Sequence, residues 1–197
     1  NAGLPAEASV NQLLFEPNDP AVLYAAVLRS VDLKTPGGLY RSENQGGSWA
    51  ALPIPEEIES VNHLCIDQAS GVFHIACGTS DGSPGSGGVW RSPDRGRSWE
   101  KLFHMPLAYR VDVACYDADR LAVAVGENMR IANVNPGAYL SWNGGRSWHK
   151  ANHGLGQPYW ICDLQFDLTD PEIIWCGLNG SGWYRGVMKR GASEVPE

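Results

Sequence analysis

Short apolar runs alternate with clusters of turn residues along the whole chain. In the first unit, apolar stretches at 10–15, 22–28, 38–42 and 48–52 are separated by Pro17-Asn18-Asp19-Pro20 and by Gly- and Ser-bearing connections. Runs of this length, bounded by Gly, Pro, Asn and Asp, predict strands, and no stretch carries the 3.6-residue apolar period of a helix.

The pattern repeats. Gly38-Leu39-Tyr40-Arg41-Ser42, Gly88-Val89-Trp90-Arg91-Ser92, Gly137-Ala138-Tyr139-Leu140-Ser141 and Gly182-Trp183-Tyr184-Arg185-Gly186 share one form: Gly, apolar, aromatic, then mostly Arg and Ser. The first three continue alike, through Ser42, Asn44, Gly46 and Trp49; Ser92, Asp94, Gly96 and Trp99; and Ser141, Asn143, Gly145 and Trp148. The tryptophans are 50 and 49 residues apart. A second motif, begun at Val10, Val61, Val111 and Ile161, recurs at steps of 51, 50 and 50. Two motifs on one period indicate four copies of one unit of four short antiparallel strands. Such a unit leaves an apolar face bare until a neighbour stacks on it, which is why it repeats. The predicted class is all-β: a β-propeller of four-stranded antiparallel blades at about 8–56, 57–106, 107–156 and 157–197, forming one domain over 1–197.

The S-x-[DN]-x-G-x-S-W pattern resembles the Asp-box, or bacterial neuraminidase, repeat. That repeat occurs in sialidases, xyloglucanase-type glycoside hydrolases, sortilin-type receptors and photosystem II assembly-factor-like propellers. The resemblance implies that the boxes lie at the blade periphery, opposite the ligand face. The chemistry of the box fits a structural turn. Asn44, Asp94 and Asn143 can accept backbone N–H bonds, the glycines allow positive φ, and the tryptophans can pack between sheets.

The fourth unit has no box. Asn1-Ala2-Gly3-Leu4 matches Asn152-His153-Gly154-Leu155, so the chain is expected to open where a preceding outer strand ends. The expectation is a segment of a larger ring, or four blades completed by another chain or a second copy, with a self-contained four-bladed ring as the alternative.

Composition narrows the function. A net charge of −7 and a pI near 5.2 oppose general binding to nucleic acid or anionic membrane, and no apolar run is long enough for a spanning helix. Five cysteines without CxxC spacing and five scattered histidines suggest neither a zinc site nor a disulfide framework, so no metal or cofactor is expected. Cys162 and Cys176 flank a turn, as a cross-strand disulfide or as two thiols. Cys65 and Cys115 read as small core residues at equivalent positions.

Ligands of propellers meet the face where the innermost strands begin. There the sequence places Tyr109-Arg110 beside Tyr159-Trp160, with Arg29 and Arg130 on nearby loops. Aromatic planes next to cations suit stacking on a sugar ring or a protein hot spot, and equally the plugging of a channel. Asp112 and Asp163 on innermost strands are the carboxylates that a glycosidase pair would use. A sialidase-like site would need an arginine cluster and a Tyr–Glu pair, which the pattern lacks. The expectation is a non-catalytic binding or scaffold propeller, outside the cytosol, presenting this face to a protein or glycan. Its alternative is part of an Asp-box glycoside hydrolase.

Overall fold

The computed structural model describes residues 2–30, 34–79, 85–126, 135–156 and 161–188, and every element in them is a strand or a turn. The first blade holds β1 (Ser9–Glu16), β2 (Asp19–Leu28), β3 (Gly38–Ser42) and β4 (Ala50–Ala51). The second holds β5 (Val61–Ile66), β6 (Phe73–Cys77), β7 (Gly88–Ser92) and β8 (Glu100–Phe103). The third holds β9 (Ala108–Ala114), β10 (Asp117–Val125), β11 (Gly137–Ser141) and β12 (His149–Lys150). The fourth has three described strands, β13 (Ile161–Phe166), β14 (Ile173–Leu178) and β15 (Gly182–Val187). All pairings between these strands are antiparallel, and strand order follows chain order, so each sheet is a meander; Ala2 adds an isolated parallel bridge to Ser48. This is the blade architecture of a β-propeller.

Alternation decides what each blade buries. One side of blade 2, carrying Leu64, Ile66, Ile75 and Trp90, packs on Tyr24, Ala26 and Leu39 of blade 1. Blade 3 repeats this with Val111, Val123 and Tyr139 on Ala76, Val89 and Phe103 of blade 2. Blade 4 places Leu164, Phe166, Ile174 and Cys176 on Ala122, Ala124 and Leu140 of blade 3. The core is therefore a series of layers between sheets rather than one central mass.

Among the described residues the two end faces expose the rule by lacking a neighbouring blade, although Leu4, Ala8 and Trp49 cover Ala25, Val27 and Tyr40 on part of the blade 1 face. In register, Val10, Leu13 and Phe15 of β1 stand where Val61, Leu64 and Ile66 stand in β5 and Ile161, Leu164 and Phe166 in β13. The blade 2 and blade 4 residues are at most 7% exposed, whereas Val10, Leu13 and Phe15 are 39, 58 and 59% exposed. At the other end Trp175, Trp183 and Val187 of blade 4 are exposed. Trp183 is the register equivalent of Leu39 and Val89, which are covered by the next blade.

The third copy of the innermost-strand motif does not sit where its 50-residue spacing puts it. Val111 pairs with Val123, as Leu13 pairs with Ala25 and Leu64 with Ile75; the equivalent of Val10 and Val61 is Ala108. The bulge residue is Asn11 in β1, Asn62 in β5, Cys162 in β13 and Tyr109 in β9. One bulge turns a slip of three residues into two register positions, so Val111 still faces the core. The slip also undoes two cysteine expectations. Cys65 is equivalent to Asp112, while Cys115 lies exposed in the β9–β10 turn. Cys176 lies opposite Leu164, not Cys162, and the two form no disulfide.

Candidate functional site

The innermost strands β1, β5, β9 and β13 line a common channel, and their side chains form two polar levels. Register equates Gln12, His63, Arg110 and Asp163 on the upper level, and Leu14, Cys65, Asp112 and Gln165 on the lower. The upper level is bonded in two pairs. The Gln12 amide meets His63 Nε2 at 3.0 Å, and Arg110 forms an ion pair with Asp163 at 2.9 Å. Below lies a cavity of about 310 Å³ with contributions from all four blades, bounded by Gln12, His63, Cys65, Asp112 and Gln165 and floored by Phe15 and Phe166.

Adjacent innermost strands do not pair through their backbones, and side chains bridge the gap. The Gln12 side chain donates to Leu64 O at 3.1 Å and accepts from Leu64 N–H at 2.7 Å, as a strand residue would. Asn11 donates to Asn62 O and Asn62 to Ala108 O. Asp112 accepts from Phe166 N–H at 2.8 Å and from the Cys65 thiol. Arg110 Nε donates to Cys162 O. Apart from the Cys65 thiol contact, each bond satisfies a backbone group that the splayed strands would otherwise leave unpaired.

Burial dominates the electrostatics. It raises the Asp112 carboxyl above its usual range, partly opposed by the Phe166 N–H. Burial and the Arg110 charge lower the His63 imidazole to about 3, leaving it neutral. The Cys65 thiol is pushed well up by burial and by Asp112. Neither the His63 imidazole nor the Cys65 thiol is poised as a base or nucleophile near neutral pH.

The sequence-derived candidates separate. Arg110 is a member of the upper level, bound to blade 4. Tyr109 is the bulge residue, with its ring against Gly126, where a Cβ would come within 1.9 Å of Cε2. Arg29 ion-pairs with Glu59 and donates its backbone N–H to Ser60 Oγ, tying blade 1 to the lead-in of blade 2. Tyr159, Trp160 and Arg130 lie outside the described residues. Gln12, His63, Cys65 and Gln165 escaped sequence reading as channel groups. Their signal was polar residues on the one face of an innermost strand that alternation leaves outside the core.

The boxes form three copies of one turn. Ser48, Ser98 and Ser147 N–H groups donate to Oδ1 of Asn44, Asp94 and Asn143 at 2.8, 2.8 and 2.9 Å. Gly46, Gly96 and Gly145 N–H groups donate to Oγ of Ser42, Ser92 and Ser141. The box of each blade then leans on the blade before it. Trp99 Nε1 donates to Pro53 O, and Trp148 Nε1 to Leu102 O.

No family model matches the chain, and no curated protein matches it. Solved structures do. An ancestral GH74 enzyme aligns over 94% of this chain and 24% of its own at 18% identity, TM-score 0.70. An auxiliary nutrient binding protein from Bacteroides ovatus aligns over 92% and 39% at 11% identity, TM-score 0.63. YCF48, solved bound to D1 peptide, aligns over 91% and 50% at 13% identity, TM-score 0.55. The chain thus spans about a quarter to a half of these neighbours, and at such identities the likeness is one of fold, a β-propeller.

Proposed function

We propose that this chain is a binding or scaffold propeller whose channel-facing surface receives a protein or glycan partner, rather than a hydrolase. The observation that carries this reading is the engagement of both candidate catalytic carboxylates. Asp163 is clamped by Arg110 and Asp112 accepts a backbone N–H of the next blade, so each spends its lone pairs on holding strands together. A hydrolase needs one carboxyl free to donate a proton and the other facing water or the anomeric carbon. Among the described residues lining the cavity the remaining polar side chains are the amides of Gln12, Gln68 and Gln165, the His63 imidazole, the Cys65 and Cys115 thiols and the Asp67 carboxylate. The amides and imidazole suit hydrogen bonding to hydroxyls or peptide groups. The neighbours named for nutrient binding and for a bound peptide support a non-catalytic use of this fold. Tyr109 and Arg29 at the strand-entry end remain part of the proposed surface, as do Arg110 and the undescribed Tyr159, Trp160 and Arg130. An extracellular or periplasmic setting belongs to the same proposal.

The test is a paired measurement on xyloglucan oligosaccharides and on peptides: binding by calorimetry, and release of reducing ends over the same hours. Binding without hydrolysis is expected. Hydrolysis that disappears in Asp112→Asn would overturn the reading in favour of a glycoside hydrolase.

The bare end faces are proposed to be stacking surfaces for a further blade of the same repeat. They continue in register the interfaces already formed three times within the chain, and an apolar face of this kind is buried in every other blade.

A further inference from the structure

We propose that the cleft between blades 2 and 3, on the side where the boxes lie, is a receptor for a guanidinium group. The argument is internal, because junction 1–2 and junction 2–3 are built from register-equivalent residues. At the first junction the Arg95 guanidinium donates to Glu16 Oε2 at 3.2 Å, and Tyr24 Oη donates to the same oxygen at 2.8 Å. Arg95 Nη2 also lies against Gly71, 3.5 Å from where a Cβ would be. The buried acid, its cation and its hydroxyl are satisfied together.

At the second junction every equivalent is identifiable. Asp67 stands for Glu16, His74 for Tyr24, Gly144 for Arg95 and Asp119 for Gly71. The cation has been lost and an anion gained in one place. What remains is a cleft of about 260 Å³ lined by Asp67, Ser70, His74, Arg91, Asp119 and Gly144. His74 is 4% exposed, and its Nδ1 has no hydrogen-bond partner. A buried, unpaired ring nitrogen costs free energy that a donor from a ligand would recover.

Arg91 lines the same cleft, with Nη1 3.9 Å from where a Gly144 Cβ would be, but its guanidinium is engaged elsewhere. It pairs with Glu100 at 2.7 Å, as its equivalent Arg41 pairs with Glu43. Arg41 coexists with Arg95 at the first junction, so a second guanidinium has a precedent beside the first. Asp67 already accepts from the Ala69 N–H and the Ser70 hydroxyl, so a guanidinium, with several donors in one plane, fits better than a point charge: it can address Asp119 and the His74 nitrogen while sharing the remaining lone pairs of Asp67. Among the described residues no group of three or more His, Cys, Asp or Glu side chains is arranged to hold a metal ion.

The cleft is tested by titrating the whole chain with methylguanidinium, with a blocked arginine amide and with methylammonium, at equal low ionic strength. The readout is the amide resonances of Asp119 and Gly144 and the His74 ring. Saturable shifts are expected with both guanidinium compounds and not with methylammonium. Gly144→Arg, which restores the Arg95 arrangement, should abolish them and raise the melting temperature; Asp119→Gly should weaken binding about tenfold. A blocked arginine that binds much more tightly than methylguanidinium identifies the natural source as an arginine side chain of a partner, and equal affinities identify a free small cation. The proposal is overturned by unsaturable shifts, by an equal response to methylammonium, or by shifts that persist in Gly144→Arg. Should that variant not fold, undiminished binding in Asp119→Gly overturns it as well.

Discussion

At the residue scale the molecule is held by side chains that act as pieces of backbone. The Gln12 amide both donates to and accepts from Leu64, and Asp112 receives the Phe166 N–H, at places where the channel keeps neighbouring strands too far apart to pair. A typical net value is about 1 kcal/mol per bond, rising to about 1.5–3 where one partner is charged. Burial gives the histidines a different consequence. His74 is lowered from the ordinary 6.5 to about 4, chiefly by burial and then by Arg91. The unfolded chain therefore binds a proton below about 6.5 that the folded chain refuses until about 4, and stability falls as pH drops through that window. The ceiling for His74 is about 3 kcal/mol. Asp112 acts in the opposite sense, since its raised folded value favours proton uptake by the native state and offsets part of the loss. The expected outcome is a lower urea midpoint at pH 4.5 than at pH 7, with a visibly smaller difference in His74→Phe.

At the scale of elements, the box is a turn with two consecutive positive φ values, 57 and 85° at Gln45 and Gly46, 60 and 88° at Arg95 and Gly96, 68 and 83° at Gly144 and Gly145. Serine and Asn or Asp side chains lock that shape through bonds spanning only two to four residues. This is why the box was legible in the sequence: all of its chemistry is local. The second glycine has another reason to be there, since a Cβ on Gly145 would approach Leu102 Cδ1 to 2.9 Å. Gly145→Ala is expected to cost roughly 1–3 kcal/mol, from backbone strain and from the crowded contact with blade 2, measured by chemical denaturation. The register of β9 was not legible for the complementary reason. An apolar alternation of period two looks the same after a slip of two, and the bulge at Tyr109 absorbs the odd residue. The channel levels depend on that register, so Arg110 was placed at the strand entrance when it stands level with Gln12, His63 and Asp163.

At the scale of the whole molecule, repetition made the fold readable, while the site was not. A repeat reports which faces stack, and it says nothing about which polar residues the channel brings together from strands some fifty positions apart. The bare end faces give the large-scale prediction. Because Leu13, Phe15 and Trp183 occupy positions that are buried in every covered blade, the chain should self-associate above its mass of 21.4 kDa in light scattering. Leu13→Lys with Trp183→Ser should return it to a monomer with little loss of melting temperature, since those side chains are exposed within one chain. A wild-type chain that stays monomeric at high concentration sinks the stacking proposal, and a dimer identifies a second copy as the cover.

The side-chain bridges between innermost strands have a further consequence for how the protein comes apart. Each bridge joins only adjacent blades, so the molecule behaves as a row of coupled units rather than as one cooperative body. Among the described residues, blades 2 and 3 are gripped from both sides, and blades 1 and 4 from one. Opening should begin at the two outer units and move inward, leaving the middle pair as the last folded kernel. Whatever caps either end would then act as a clasp, setting the lifetime of the whole row.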